Sequence, residues 1–387
     1  MLECDDCKIA YEESLAECPN CEPEKTKIIQ PLKVVSAVTA QFISEKGADD
    51  IDSKIGLPWP IENEICYAFI TQVERKFKRK NKFHSYYEQQ DSDTSMPSRL
   101  QKYIRGETDF LKLIDMLMDE LVLSAIDSGA VKITGGGIVF MHYKDNDEDD
   151  VGRLLAVMVD NRSGFKFDGD LIPENAQHIN LNTLKQAALF DLTGFKETYP
   201  EKPEGKTYLK FIAGSSASAF FKKAFGCEIK ADNAKSVDQL YAALEKYRST
   251  LNLPVEDYHK SRRRLDKELE KAARDKKPVS LDALSVLIDS EIPDAFKQGK
   301  SFSEFVNDND FEVNDYIEPT VQAVEAEQWV NVNAPDESFS AKIYRAKIGG
   351  VGSGHPIEYD VDTHKLTLSV NDHNEQQSLK DLVDTDE

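Results

Sequence analysis

The sequence predicts an α+β protein with four parts: an N-terminal Cys₄ zinc knuckle (1–24), a mixed α/β domain (32–199), a mostly helical region (200–310) and a C-terminal β-rich segment (311–370). Three observations predict it. Two near-continuous apolar runs of strand length, Gly137–Tyr143 and Leu154–Asp160, flank an acidic turn. Capping residues precede helix-spaced apolar patterns through the middle of the chain. Two C-x-x-C pairs stand within the first 21 residues. A chain of 387 residues, 40% apolar with 19 Phe and 14 Tyr, can fill the cores of two or three domains.

Cys4-x-x-Cys7 and Cys18-x-x-Cys21 are ten residues apart. A two-residue gap lets two thiolates bind one ion, and a second pair completes a tetrahedral site. Asp5-Asp6 and Pro19-Asn20 supply turn-forming residues between the ligands. The segment is too short and polar for a core, so structural Zn²⁺ would supply its folding free energy. Four thiolates leave no open position for water, which argues against a catalytic metal. Cys66 and Cys227 lie far apart in apolar surroundings and read as buried free thiols. The pattern fits a reducing cytoplasm. With no run of eighteen apolar residues and no signal-peptide core after Met1, neither membrane insertion nor export is expected.

After a short linker at 25–30, apolar Ile61, Ile65, Phe69 and Val73 predict a helix within Ile61–Phe83. Pro97 opens a second, continuing through Phe110, Leu113, Leu117, Leu121 and Leu123. The two apolar runs form a hairpin buried on both faces. Asn161–Pro173 reads as further strand and turn. Beyond Pro200, Ser236-x-x-Gln239 predicts a capped helix to about Arg248, and Pro254 starts another running to about Lys276. Ser280 caps a short helix, and Ser301-x-x-Glu304 is a capping box. Ala341–Ile348, Ile357–Val361 and Leu366–Val370 return to strands. Residues 371–387, with six acids and one lysine, read as a solvated or disordered acidic tail.

The formal charge is −22, from 48 basic and 70 acidic residues, which taken alone opposes nucleic-acid binding. Clustering changes that expectation. Arg75, Lys76, Lys78, Arg79, Lys80 and Lys82 place six cations in eight residues, with Phe77 and Phe83 interleaved. Such a stripe can neutralise phosphates without reading sequence. A second run contains Arg262, Arg263 and Arg264, which splay over about 200° on a helix. Arg262 and Arg263 are candidate phosphate contacts; pairing with Glu268 and Glu270 on a solvated helix is the competing reading. Asp145–Asp150 lacks the Gly and Glu of a calcium loop and reads as an acidic turn. Gly135–Gly137 leads into a strand, so no helix N-terminus stands behind it to hold phosphate. No HExxH pair or nucleophile elbow occurs, and the sequence offers little for an enzyme.

Several blocks resemble the nucleoid-associated protein family of the NdpA/YejK type, in the family's order. They are Lys80-Asn81-Lys82-Phe83, Gly106-Glu107-Thr108-Asp109-Phe110-Leu111, Gly136–Tyr143, Leu154–Asn161 and Phe190-Asp191-Leu192-Thr193. Tyr208–Phe211, Phe220–Cys227, Tyr359-Asp360 and Leu366–Leu368 follow, so the resemblance spans roughly 32–370. It implies a bacterial, cytoplasmic protein of the nucleoid that binds duplex DNA without an established catalytic activity. The family does not generally carry the Cys₄ knuckle, and its cations between Phe211 and Phe220 are replaced here by Ala213–Ala219. Phosphate contact then falls to the Arg75–Lys82 stripe or the knuckle. Two alternatives stay open: an acidic adaptor docking on DNA-processing or anti-phage defence proteins, and a metal-dependent nuclease. Homo-oligomer formation is undetermined by the sequence.

Overall fold

The computed structural model describes residues 2–3, 10–11, 32–43, 51–127, 137–144, 150–159, 167–173, 186–212, 219–226, 232–334 and 338–383. Cys4, Cys7, Cys18 and Cys21 of the expected knuckle lie outside them, as do Cys227, the Asp145–Asp149 turn and residues 213–218. Two short strands, β1 (Leu2–Glu3) and β2 (Ala10–Tyr11), pair antiparallel on either side of the first cysteine pair.

A seven-stranded antiparallel sheet organises the first half. Its strands are β3 (Lys33–Ile43), β4 (Asp52–Ile55), β5 (Phe83–Ser85), β6 (Gly137–Lys144), β7 (Arg153–Val159), β8 (Ala187–Asp191) and β9 (Leu209–Ile212). Their spatial order is β4-β3-β6-β7-β8-β9-β5. Successive residues point to opposite faces. Ile138, Phe140, Leu154, Ala156, Ala188 and Phe190 face one core; Val139, Met141, Leu155, Val157, Ala187 and Leu189 face the other. Both faces are covered, which explains why β6 and β7 are continuous apolar runs rather than alternating ones.

The first face is packed by α2 (Met96–Ile104), α3 (Phe110–Asp127), α4 (Leu192–Thr198) and α5 (Ala219–Ala224). The second is packed by α1 (Glu64–Arg79), through Cys66, Phe69, Ile70, Val73 and Phe77. Fully burying one such side chain contributes about 1.5–3 kcal/mol. The helix expected from Pro97 onward is two helices. Gly106 turns left-handed at φ 73° behind α2, and Asp109 accepts from Lys112 N at 2.8 Å to start α3. The composition change at Pro200 does not end this layer, since β9 and α5 belong to it.

A separate core joins α6 (Asn233–Leu251), α7 (Val255–Asp275), α8 (Leu281–Ser290), α9 (Phe302–Asp308) and α10 (Val321–Gln328). Between them β10 (Val279–Ser280) pairs with β11 (Tyr316–Ile317). Leu240, Leu244, Leu265, Leu269, Leu284, Ile288 and Phe302 fill its centre. Ser280 caps α8, and the Ser301/Glu304 box is complete on α9. Ser236 is not a cap: Asp232 caps α6, and the buried Ser236 hydroxyl accepts from Asn314 N at 3.0 Å. A hairpin of β12 (Trp329–Asn333) and β13 (Ser340–Tyr344) follows. A small sheet then forms from β14 (Ile348–Gly350), β15 (Ile357–Asp360) and β16 (Lys365–Leu368), with β14 and β15 parallel. Residues 373–383, expected as solvated or disordered tail, form helix α11 with every side chain exposed.

Candidate nucleic-acid interface

Helix α1 presents the first basic run. Asn63 caps it, accepting from Ile65 N at 2.8 Å, and its first turn is acidic while its last is basic. This charge order suits the helix dipole. Arg75, Lys78 and Arg79 are exposed, and Lys76 and Lys80 are half-buried. Lys78 pairs with Glu74 at 2.6 Å. The interleaved aromatics face inward: Phe77 is buried under the sheet and Phe83 stacks on Phe211 at 5.3 Å. They anchor the stripe and are not available to a base.

Lys82 must be taken out of the stripe. Only 4% exposed, its ammonium donates to Lys78 O (2.9 Å), Lys80 O (2.8 Å) and Asn307 Oδ1 (3.0 Å). Three donors meet three acceptors, so none is left for a phosphate. Burial, followed by the nearby Lys210 charge, pushes its pKa down to about 7. Lys82 therefore closes the C-terminal turn of α1 and joins it to α9.

It belongs to a polar seam between the sheet layer and the helical core. Asp315 N donates to Lys82 O at 3.0 Å, and His84 N to Asn314 Oδ1 at 2.9 Å. Glu312, 3% exposed, accepts from Thr207 N (2.6 Å) and Thr207 Oγ1 (2.7 Å) and pairs with Lys235 at 2.5 Å. The buried His84 ring lies 3.9 Å from Glu312. Burial, then Lys210 and Lys82, drives its pKa well down, so it stays neutral. Lys206 and Lys210 both bind Asp310, at 2.5 and 2.7 Å. Burial alone would raise the Asp310 carboxyl, but these two lysines outweigh it and hold it below the usual range.

An open cleft of about 720 Å³ runs along this seam. Its lysines are matched: Lys202 to Asp232, Lys206 to Asp310 and Lys235 to Glu312. Such a cleft offers little net attraction to an anion.

The second basic run also splits. Arg262 turns inward, with its guanidinium 4.8 Å over the Tyr241 ring, donating to Tyr258 Oη (3.1 Å) and Glu327 O (2.8 Å). Beside it the buried Asp266 accepts from Tyr241 Oη and Tyr344 Oη, both at 2.6 Å, tying α6, α7 and β13 together. Arg262 is therefore a packing residue, contrary to its assignment as a phosphate contact. Arg263 is exposed. Arg264 is exposed too but pairs with Glu291 at 3.0 Å, across to the end of α8, rather than with Glu268 or Glu270. Reading the run as a unit missed the cations that α7 does align, at Lys260, Arg264, Lys267, Lys271 and Arg274. The signal for them was three- and four-residue spacing.

Several of the blocks that carry the family resemblance are internal joints of the sheet layer. His142 Nδ1 meets Tyr103 Oη at 2.7 Å and its Nε2 meets Val151 O at 2.8 Å. Thr193 Oγ1 accepts from Val151 N (2.9 Å) and Gly152 N (3.2 Å) and donates to Asp150. Asp191 caps α4. Gly152 sits at φ 104°, where a Cβ would meet Tyr143 O at 2.5 Å. These residues close the β6–β7 and β8–α4 junctions. Among the described residues no group of three or more His, Cys, Asp or Glu is placed to hold a metal, and no helix is long and apolar enough to cross a membrane.

Residues 48–375 match the family described as nucleoid-associated protein YejK. A nucleoid-associated protein of Pseudomonas aeruginosa is 22% identical over 328 residues, covering 82% of this chain and 87% of that protein. One from Pseudomonas paraeruginosa is also 22% identical, covering 82% and 86%. A third, from Pseudomonas putida, is 26% identical over 200 residues, covering 51% and 57%.

Proposed function

The chain belongs to the nucleoid-associated protein YejK family, and on that premise we propose that it is a non-enzymatic DNA-binding protein of the bacterial nucleoid. The observation that carries this reading is the family match over 48–375. The exposed end of α1 adds a physical route to phosphate. Arg75, Lys76, Lys78, Arg79 and Lys80 would meet the backbone without reading bases. Each phosphate neutralised adds about −0.9 to the slope of log affinity against log salt. The test is a fluorescence-anisotropy titration of the full chain on duplex DNA across salt. Charge reversal of Lys78, Arg79 and Lys80 should flatten the slope by about 2.7. An unchanged slope would remove the α1 end from the interface.

Cys4, Cys7, Cys18 and Cys21 would hold a structural Zn²⁺. The antiparallel pairing of Leu2–Glu3 with Ala10–Tyr11 supports this, because it joins the chain on both sides of Cys4-x-x-Cys7. When bound, the ion would cross-link the two cysteine pairs and supply no reaction chemistry. Metal analysis should find about one zinc per chain. Loss of that zinc in a Cys4→Ser/Cys18→Ser variant is expected; a metal-free wild-type chain would sink the assignment.

One observation favours a second reading, the adaptor. The formal charge is −22, and the lysines of the seam cleft are matched by acids. Protein partners that stay bound after nuclease digestion would favour docking over DNA contact.

A further inference from the structure

Helix α7 carries five exposed cations at one helical spacing: Lys260, Arg264, Lys267, Lys271 and Arg274. Steps of four, three, four and three residues keep them within about 40° of a common line. At 1.5 Å per residue the line is about 21 Å long. We propose that this line is a phosphate-tracking surface for duplex DNA, separate from the end of α1.

The line puts five cations in succession on one side of the helix, with Glu268 and Glu270 three or four residues from four of them. It stands on a chain with 70 acidic residues against 48 basic ones, where a run of cations on one face is not the default. Lys267 and Lys271, at its centre, are exposed and form no ion pair among the described residues. Arg264 pairs with Glu291 at 3.0 Å, Lys260 with Asp257 at 2.7 Å, and Arg274 with Asp275 at 3.6 Å. Exposed pairs of this kind are weak, so a phosphate can displace the carboxylate.

The shape fits as well. Arg264, Lys267, Lys271 and Arg274 line a groove of about 440 Å³ together with Leu287 of α8. Glu268 and Glu270 also border it, but at about 80° to either side of the cationic line. They flank a bound backbone and do not block it. Phosphates of one DNA strand rise about 3.4 Å apiece along the axis while the strand winds around it, so a straight 21 Å line meets part of the roughly six phosphates in that rise. A single acidic side chain or small anion would use two of the five cations; only an extended polyanion uses the whole line.

This inference rests on the DNA-binding reading above, and the experiment separates the two. Full-length wild type, Lys267→Glu/Lys271→Glu and Lys78→Glu/Arg79→Glu/Lys80→Glu are titrated against one duplex over a salt series. Each new glutamate on α7 has an arginine three residues away on one side and an acid, Glu270 or Glu268, three residues away on the other, so helix stability needs its own readout. Matching thermal melts check this, and Lys267→Gln/Lys271→Gln replaces the first variant should it fail to fold. The α7 variant should lose about 10-fold or more in affinity at 100 mM salt, and its slope should fall by about 1.8. Wild-type binding with an unchanged slope in the α7 variants overturns the α7 surface alone. Absence of salt-dependent binding by the wild type overturns both.

Discussion

The two basic runs look alike in sequence and are treated alike by the fold in one respect: each sends one cation inward. From Arg75–Lys82 the fold takes Lys82, whose ammonium binds the Lys78 and Lys80 carbonyls and Asn307. From His259–Lys267 it takes Arg262, which lies over Tyr241 and binds Glu327 O. They differ in what remains. The α1 run ends as a cluster on the last turn of a short helix. The α7 cations continue past the run as a line along a helix of 21 residues. A stretch of consecutive charges is therefore not a face. Residues at three- and four-residue spacing are, because only they share a side of a helix.

The largest effect separating inward from outward cations should come from Lys82→Met. It leaves one buried and two part-buried oxygens without this donor and should cost about 2–4 kcal/mol in denaturant unfolding. A cost under 0.5 kcal/mol would return Lys82 to the surface stripe. The same variant carries a pH signature. With the folded pKa at about 7 and the unfolded value near 10.4, the unfolded chain binds the extra proton between those limits. Stability should thus rise with pH across that window in the wild type, and Lys82→Met should remove the slope.

Arg262→Ala should cost less, about 1–3 kcal/mol, since the guanidinium keeps some solvent contact while losing its ring and carbonyl partners. Next comes Asp310, whose lowered pKa contributes stability above the ordinary carboxylate value. That stability is lost as pH falls through the folded value. Asp310→Asn should flatten the acid limb of the stability profile measured by thermal melts. The smallest effects belong to the exposed partners of each run. Arg75→Ala and Arg263→Ala should stay within about 0.5 kcal/mol in stability. A larger loss at either would mean that it too is structural.

Most blocks that reveal the family occupy the joints and core of the sheet layer, while Tyr359-Asp360 and Leu366–Leu368 lie in the small sheet of β15 and β16. Gly106 and Asp109 stop one helix and start the next; His142, Asp150 and Thr193 fasten the β6–β7 ends. The resemblance was legible because these positions demand particular chemistry, such as a positive φ, a cap or a paired acceptor. The same blocks say little about where DNA would lie, since exposed cations can move along a surface without disturbing the fold. The break at Gly106 was missed because the apolar spacing carries on across it. Ser236 was misread as a cap because its partner, Asn314, is 78 residues away.

By itself the sequence determined the α+β class, the twice-buried hairpin, the caps at Ser280 and Ser301, and the family. Each of these follows from local spacing or from a residue whose neighbours in the chain fix its role. Only the tertiary structure decided that Lys82 and Arg262 are inside, that β9 completes the sheet beyond Pro200, and that four of the aligned α7 cations border a groove with Leu287 of α8. The physical reason is that burial depends on what packs opposite. The α9 side chain meeting Lys82 and the α10 carbonyl receiving Arg262 come from residues 225 and 65 positions further along the chain.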